Sequence, residues 1–126
     1  MRILLAEDDP HISVIAKMAL EKIGGYDVTV VSDGEQALQA ALSGDFDLIL
    51  LDEMMPKMNG LRVCQAYKAQ CLQPKPIIFL SAKSQESDIR EFFENGAGFI
   101  PKPFDPMKLS GQIEAVLRGG GTGAAA

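Results

Sequence analysis

One stretch of the chain, DLILLDEMMPKMNG at residues 47–60, limits what the rest can fold into. Residues 48–51 are apolar without a polar interruption, and Asp52 follows at once. A short continuous apolar run reads as a strand covered on both faces, the situation of a strand inside a parallel sheet. A carboxylate directly after it stands at the carboxyl end of the strand, where open α/β sheets bind their ligands. Pro56 and Asn59-Gly60 then mark a loop. Taken alone, Asp52 serves equally well as a strand terminator or a cap for the next helix, and the remaining chain has to decide.

The same arrangement repeats along the sequence. Residues 2–6 supply a first strand that ends in Glu7-Asp8-Asp9. Asp9 suits an N-cap and Pro10 the first helical position. Ile12, Ile15, Ala16, Ala19, Leu20 and Ile23 recur at helical spacing, and Gly24-Gly25 stops that helix. Residues 28–31 are β-branched and read as strand two, after which Asp33-Gly34 turns the chain. Ala37, Leu38, Ala41 and Leu42 form the face of helix two, ended by Gly44. Residues 48–51 are strand three, 60–70 helix three, 77–80 strand four, 84–95 helix four and 99–100 a short strand five. The spacing of Leu109, Ile113, Val116 and Leu117 predicts helix five over 105–118. Strict strand–helix alternation implies a parallel sheet with right-handed crossovers and helices on both faces. The folded unit is 1–118, and GGGTGAAA at 119–126 reads as a flexible tail or linker remnant.

Composition removes several function classes. With 126 residues, 47% hydrophobic and 23% charged, the chain suits one globular domain with one core. A net charge of −5 argues against direct nucleic-acid binding by this domain. No apolar run approaches the roughly 20 residues of a membrane span, and MRILLAEDD reaches acids too early for a signal peptide, so a cytoplasmic location is expected. Cys64 and Cys71, seven apart on one predicted helix, stand roughly 10 Å from each other, too far for a disulfide. They read as two reduced thiols in no metal-binding pattern.

In a parallel sheet all the strand ends fall on one edge. Glu7-Asp8, Asp52, Ser81 and Lys102 are therefore expected to converge there. Carboxylates gathered at one point repel, so either a proton or a cation joins them. Oxygen donors without His or Cys suit Mg²⁺. A carboxylate, a divalent ion, a lysine and a hydroxyl around one point form a phosphoryl-transfer constellation, with Asp52 the natural nucleophile through an aspartyl phosphate. Each residue has an ordinary alternative. Asp9 is best read as a helix cap, Ser81 alone as a turn residue, and Lys102 alone as a solvated surface lysine.

With ILLAEDD, LILLDEMMPKMNG, IIFLSAK and FIPKPF each at the end of its expected strand, the chain resembles the receiver domain of two-component response regulators, in the CheY-like superfamily, over residues 2–118. The resemblance implies a flavodoxin-like (βα)5 fold with sheet order 2-1-3-4-5. It implies that a histidine kinase or histidine phosphotransfer protein passes a phosphoryl group to Asp52. Mg²⁺ would be held by Asp8, Asp52, the backbone carbonyl of Met54, and Glu7 through water. Ser81 would hydrogen-bond the phosphoryl group and Lys102 would pair with it. Phe99 matches an aromatic switch whose ring turns inward as Ser81 moves, although it reads equally as core. Met54 and Lys83 flank the entrance at positions that tune the lifetime of the aspartyl phosphate in the family. The Lys102–Pro103 bond would be cis. Gly98 stands where receivers of winged-helix transcription factors typically carry an acid, which weakens the case for their dimer. The output would lie on the face of helix four, strand five and helix five, toward an output domain or partner protein.

Three other readings stay open. A Mg²⁺-dependent phosphohydrolase with an aspartyl nucleophile would want a second acid two residues beyond Asp52 as general acid, and Met54 stands there. A flavin-binding module would want a Ser-, Thr- and Gly-rich loop after strand one, where this chain has acids. A receiver-like docking module without phosphorylation would not need Asp52, Ser81 and Lys102 together. The expected role is thus regulatory, with self-directed phosphotransfer and autodephosphorylation the only chemistry.

Overall fold

Five short parallel strands, each flanked by helices, form one sheet of order β2-β1-β3-β4-β5 in the computed structural model, which describes residues 1–83, 85–96 and 98–120. The strands are β1 (Arg2–Ala6), β2 (Asp27–Val31), β3 (Leu48–Asp52), β4 (Ile77–Ser81) and β5 (Gly98–Pro101). Between and after them run α1 (Pro10–Lys22), α2 (Gly34–Ser43), α3 (Gly60–Gln70), α4 (Glu86–Asn95) and α5 (Leu109–Ala115). Every residue of β3 and β4 is buried, as expected for strands with helices on both sides.

Alternation along the strands divides the interior into two cores. Ile3, Leu5, Leu48, Leu50, Ile78, Leu80 and Ile100 face α1 and α5. Their neighbours Leu4, Ala6, Ile49, Leu51, Ile77, Phe79 and Phe99 face α2, α3 and α4. On the second side Phe92 of α4 stacks on Phe79 at 5.0 Å between ring centroids and meets Phe99 at a tilt at 5.7 Å.

Several boundaries depart from the sequence reading. Asp33-Gly34 is a helix start, not a free turn: Asp33 caps α2 by accepting from the Gln36 N–H at 2.8 Å. Helix five begins at Leu109 instead of 105, because Asp105 bends the chain first, accepting from the N–H groups of Met107 and Lys108. A wider π-type turn, Val116–Gly120, follows α5 and is closed by Gly119 at φ 86°. Leu117 is consequently 38% exposed and does not face inward. On α1 the buried residues are Ser13, Ala16, Ala19 and Leu20; the first three are small and let the helix lie close to the sheet, while Ile15 and Ile23 stay about half exposed. Cys71 lies one residue past α3, and both thiols are free. Burial pushes the Cys64 thiol up to about 11, and its Sγ donates to the Asn95 carbonyl. Ser84, expected to open helix four, and residues 121–126 of the expected tail lie outside the described residues.

The loop after β3 is fixed to the start of α2. The Gly34 N–H donates to the Pro56 carbonyl at 3.2 Å, and a Cβ on Gly34 would come within 1.9 Å of the Met58 carbonyl oxygen. Lys57, at φ 70°, reaches the Asp33 carboxylate at 3.6 Å. At the other end of the loop, a Cβ on Gly60 would stand 2.7 Å from the Asp52 carbonyl oxygen, so α3 starts hard against the end of β3.

Candidate functional site

The strand ends carry their ladder one residue further than the strands themselves. The Glu7 N–H donates to the Val31 carbonyl, the Glu53 N–H to Leu80 and the Lys102 N–H to Ser81, at 2.8–3.0 Å. Backbone bonds of this kind set the direction of each rim side chain before any side-chain contact forms. Glu7, Asp8, Asp52, Ser81 and Lys102 line one cavity of about 280 Å³, together with Met54 and Lys83. The convergence expected from the sequence is therefore present in the geometry.

Glu7, Asp8 and Asp52 each offer a carboxylate oxygen within 4.8 Å of the others. Glu7 and Asp52 are buried and Asp8 is exposed. Lys102 Nζ lies 2.6 Å from Glu7 Oε1 and 3.1 Å from Asp52 Oδ1, so one ammonium serves two buried acids. Three carboxylates against one lysine leave an excess of negative charge. Burial, followed by the hydrogen bond and charge of Glu7, pushes the Asp52 carboxyl up to about 7. The Asp52 Oδ1 also accepts from the Met54 N–H at 3.3 Å, while the Met54 side chain is 70% exposed. Ser81 is buried, and its hydroxyl oxygen accepts from the Lys83 N–H at 3.0 Å, leaving its own proton free to donate. The Lys102–Pro103 bond is cis. The Phe99 ring is buried among Phe92 and Phe93. His11 is an exposed residue in the first turn of α1.

A proton held by native Asp52 but shed by the unfolded chain makes stability depend on pH. The native carboxyl binds its proton up to about 7, whereas an ordinary aspartate does so only up to about 3.8, so between these two pH values the native state holds more protons. Without added metal, stability is expected to fall as pH rises through this window, by an amount on the order of 2–4 kcal/mol. Urea unfolding of the parent and of Asp52→Asn at both ends of the window checks this. The variant should show a flatter dependence and be the more stable protein above pH 7.

Sequence reasoning missed one buried acid. Glu53 is 4% exposed, with Oε1 held by Lys83 Nζ at 3.1 Å. It follows Asp52 at the end of an apolar strand, but nothing in the sequence marks it as the partner of Lys83.

An open parallel sheet with acids, a lysine and a hydroxyl gathered at its carboxyl edge is an α/β arrangement of the kind that suits phosphoryl chemistry. The sequence matches the family described as response regulator receiver domain over residues 3–114, and the chain belongs to that family. It is 40% identical over 118 residues to the alkaline phosphatase synthesis transcriptional regulatory protein PhoP of Bacillus subtilis, covering 93% of this chain and 48% of that protein. It is 39% identical over 118 residues to the DNA-binding response regulator MtrA of Mycolicibacterium smegmatis, covering 93% and 50%. The chain thus spans about half the length of these relatives. Among solved structures it superposes on the Francisella response regulator 1452 receiver domain with a TM-score of 0.84 at 28% identity, covering 94% of this chain and 98% of that one. The chemotaxis response regulator CheY4 of Vibrio cholerae follows at 0.78 and 28%, covering 91% and 97%. Among the described residues no helix is long and apolar enough to cross a membrane.

Proposed function

We propose that Asp52 of this receiver domain accepts a phosphoryl group from a phosphohistidine of a histidine kinase or histidine phosphotransfer protein. The observation that carries the reading is a buried carboxylate at the end of β3 within 3.1 Å of Lys102 and beside Glu7 and Asp8. In the transfer, Asp52 Oδ attacks phosphorus, the phosphorus–nitrogen bond breaks, and its electron pair returns to the imidazole. Asp52 must be ionised to attack, so Lys102 at its oxygen favours the reactive form. When the phosphoryl group arrives, the Lys102 ammonium and the Ser81 hydroxyl are the donors closest to the new oxygens.

The acidic cluster fits Mg²⁺ by its donor set: hard carboxylate oxygens, one of them exposed, and a charge excess that Lys102 alone does not balance. Asp8, Asp52 and the Met54 carbonyl would hold the ion, with Glu7 acting through water. When bound, the ion supplies positive charge to the phosphoryl oxygens. A phosphohydrolase is less well supported, because Met54 stands where a general acid would be needed. The chemistry is then self-directed, and the receiver comprises 1–118 with 119–126 as linker. The signal passes through α4, β5 and α5 to an output domain or partner, and a cytoplasmic setting suits such a relay.

Intact mass after incubation with acetyl phosphate tests the reading. The parent should gain one phosphoryl group only with Mg²⁺, and Asp52→Asn should gain none. A folded parent that binds Mg²⁺ yet takes no phosphoryl group, from acetyl phosphate or from a phosphohistidine donor, would remove Asp52 from this role.

A further inference from the structure

A second cavity, of about 470 Å³, opens beside the one over Asp52. Its size falls in the range of small-molecule pockets, roughly 300–1,000 Å³. Ile12 and Ile15, one turn apart on α1, form one side, and Pro103, Phe104 and Pro106 of the β5–α5 loop form the other. Both sides are held in place. Asp9 caps α1 just before Ile12, accepting from the His11 N–H at 2.9 Å. Asp105, between Phe104 and Pro106, accepts from the Met107 N–H at 2.9 Å, and the two prolines fix their own φ. A single half-exposed isoleucine is ordinary on a protein surface. A concave surface lined by apolar residues on both sides has the form of a binding site.

This cavity is continuous with the Asp52 site. The two share Ile12, Ala82 and Lys102 as walls. Lys102 is the one charged residue that lines the larger cavity among the described residues, and its ammonium is engaged elsewhere, 2.6 Å from Glu7 and 3.1 Å from Asp52. What it offers the apolar cavity is therefore its methylene stem. A ligand complementary to both cavities carries a phosphate head for the Asp52 side and a short apolar chain for the other. For the phosphoryl group to pass to Asp52, the bond joining head to chain must break readily. A mixed anhydride of phosphate and a carboxylic acid meets that condition, because its leaving group is a carboxylate; an alkyl phosphate, which would have to release an alkoxide, does not.

We propose that the apolar cavity is a subsite for the acyl chain of a small-molecule phosphodonor, so that acyl phosphates with a chain of several carbons load Asp52 in preference to acetyl phosphate. The inference rests on the phosphoacceptor reading of Asp52 and adds a donor class to it. In the step, Asp52 Oδ attacks phosphorus, the bond from phosphorus to the acyl oxygen breaks, and the electron pair leaves with the carboxylate. The products are the aspartyl phosphate and a free alkanoate.

The test follows intact mass over time, with Mg²⁺ and equal subsaturating concentrations of acetyl, butanoyl or hexanoyl phosphate. Loading should quicken with chain length, and hexanoyl phosphate should be at least about tenfold faster than acetyl phosphate; complete burial of its extra methylenes sets a ceiling of roughly two hundredfold. Ile15→Gln, which puts an amide on the wall, and Ile15→Trp, which fills the cavity, should each lower the hexanoyl-to-acetyl ratio by at least about threefold. Ile15 is about half exposed, so both variants should unfold near the parent temperature. Hexyl phosphate, which has head and chain but transfers nothing, should compete with hexanoyl phosphate far better than inorganic phosphate does. A parent loaded equally by the three donors, or by phosphohistidine alone, would overturn the inference, keep Asp52 as acceptor and leave the cavity to the side chains of a protein donor. So would a ratio unchanged in both Ile15 variants. A parent that loads from no donor would overturn both readings.

Discussion

Lys102→Met is expected to lower the unfolding free energy by about 3 kcal/mol above pH 7, because removing one partner of a buried ion pair leaves the other uncompensated. Here two acids lose their partner at once. Glu7 Oε1 and Asp52 Oδ1 both rest on the same ammonium, and both residues are about 95% buried or more. The loss should shrink as pH falls through 7 toward 4. The Asp52 carboxyl already titrates at about 7, and without Lys102, whose charge lowers it, it would take up its proton at still higher pH. Urea unfolding at two pH values reads the effect directly. An equal loss at both would mean that Lys102 acts by packing its stem and not by charge.

Phe92→Ala should destabilise the protein by about 3–5 kcal/mol, the range for truncating a buried aromatic. Phe92 is the one buried residue of α4 among the described residues, and its ring packs on both Phe79 and Phe99. Its loss removes the anchor of the helix as well as core volume. Hydrogen exchange is therefore expected to speed up along Glu86–Asn95 well before the rest of the molecule. Phe93→Ala is the control. That ring is 36% exposed and meets Phe99 edge-on, so its removal should cost about 1 kcal/mol or less. Similar losses from both would show that the stack does not carry the attachment of α4.

The sheet was legible because its information is local. A buried parallel strand has to be apolar on both faces, so residues 48–51 and 77–80 announce themselves, and a charged residue after such a run must lie at an edge. The strand order and the finer roles of the site residues came from the resemblance; the protein has that order and brings those residues together. What stayed hidden depends on partners far along the chain. That Lys102 spans Glu7 and Asp52 follows from β5 and β1 lying on either side of β3 and β4, which no spacing rule encodes. The late start of α5 follows from an Asp105 bend that competes with helix for the same backbone donors. Glu53 was passed over, because a carboxylate in sequence carries no sign that a lysine thirty residues on will meet it.

The clamp between the β3–α3 loop and α2 has a mechanical consequence. Backbone hydrogen bonding through Gly34, the close fit at Met58 and the Lys57–Asp33 pair hold that loop to the body of the protein. The opposite loop, after β4, has its side-chain tie in Lys83 and leads into a helix with one fully buried ring, whose far end is bonded to α3 through Asn95. The site thus works as a vice with one fixed jaw. Whatever binds between the jaws and draws them together is expected to displace the less fixed one, so a local event at Asp52 acquires a direction, toward α4 and away from α2.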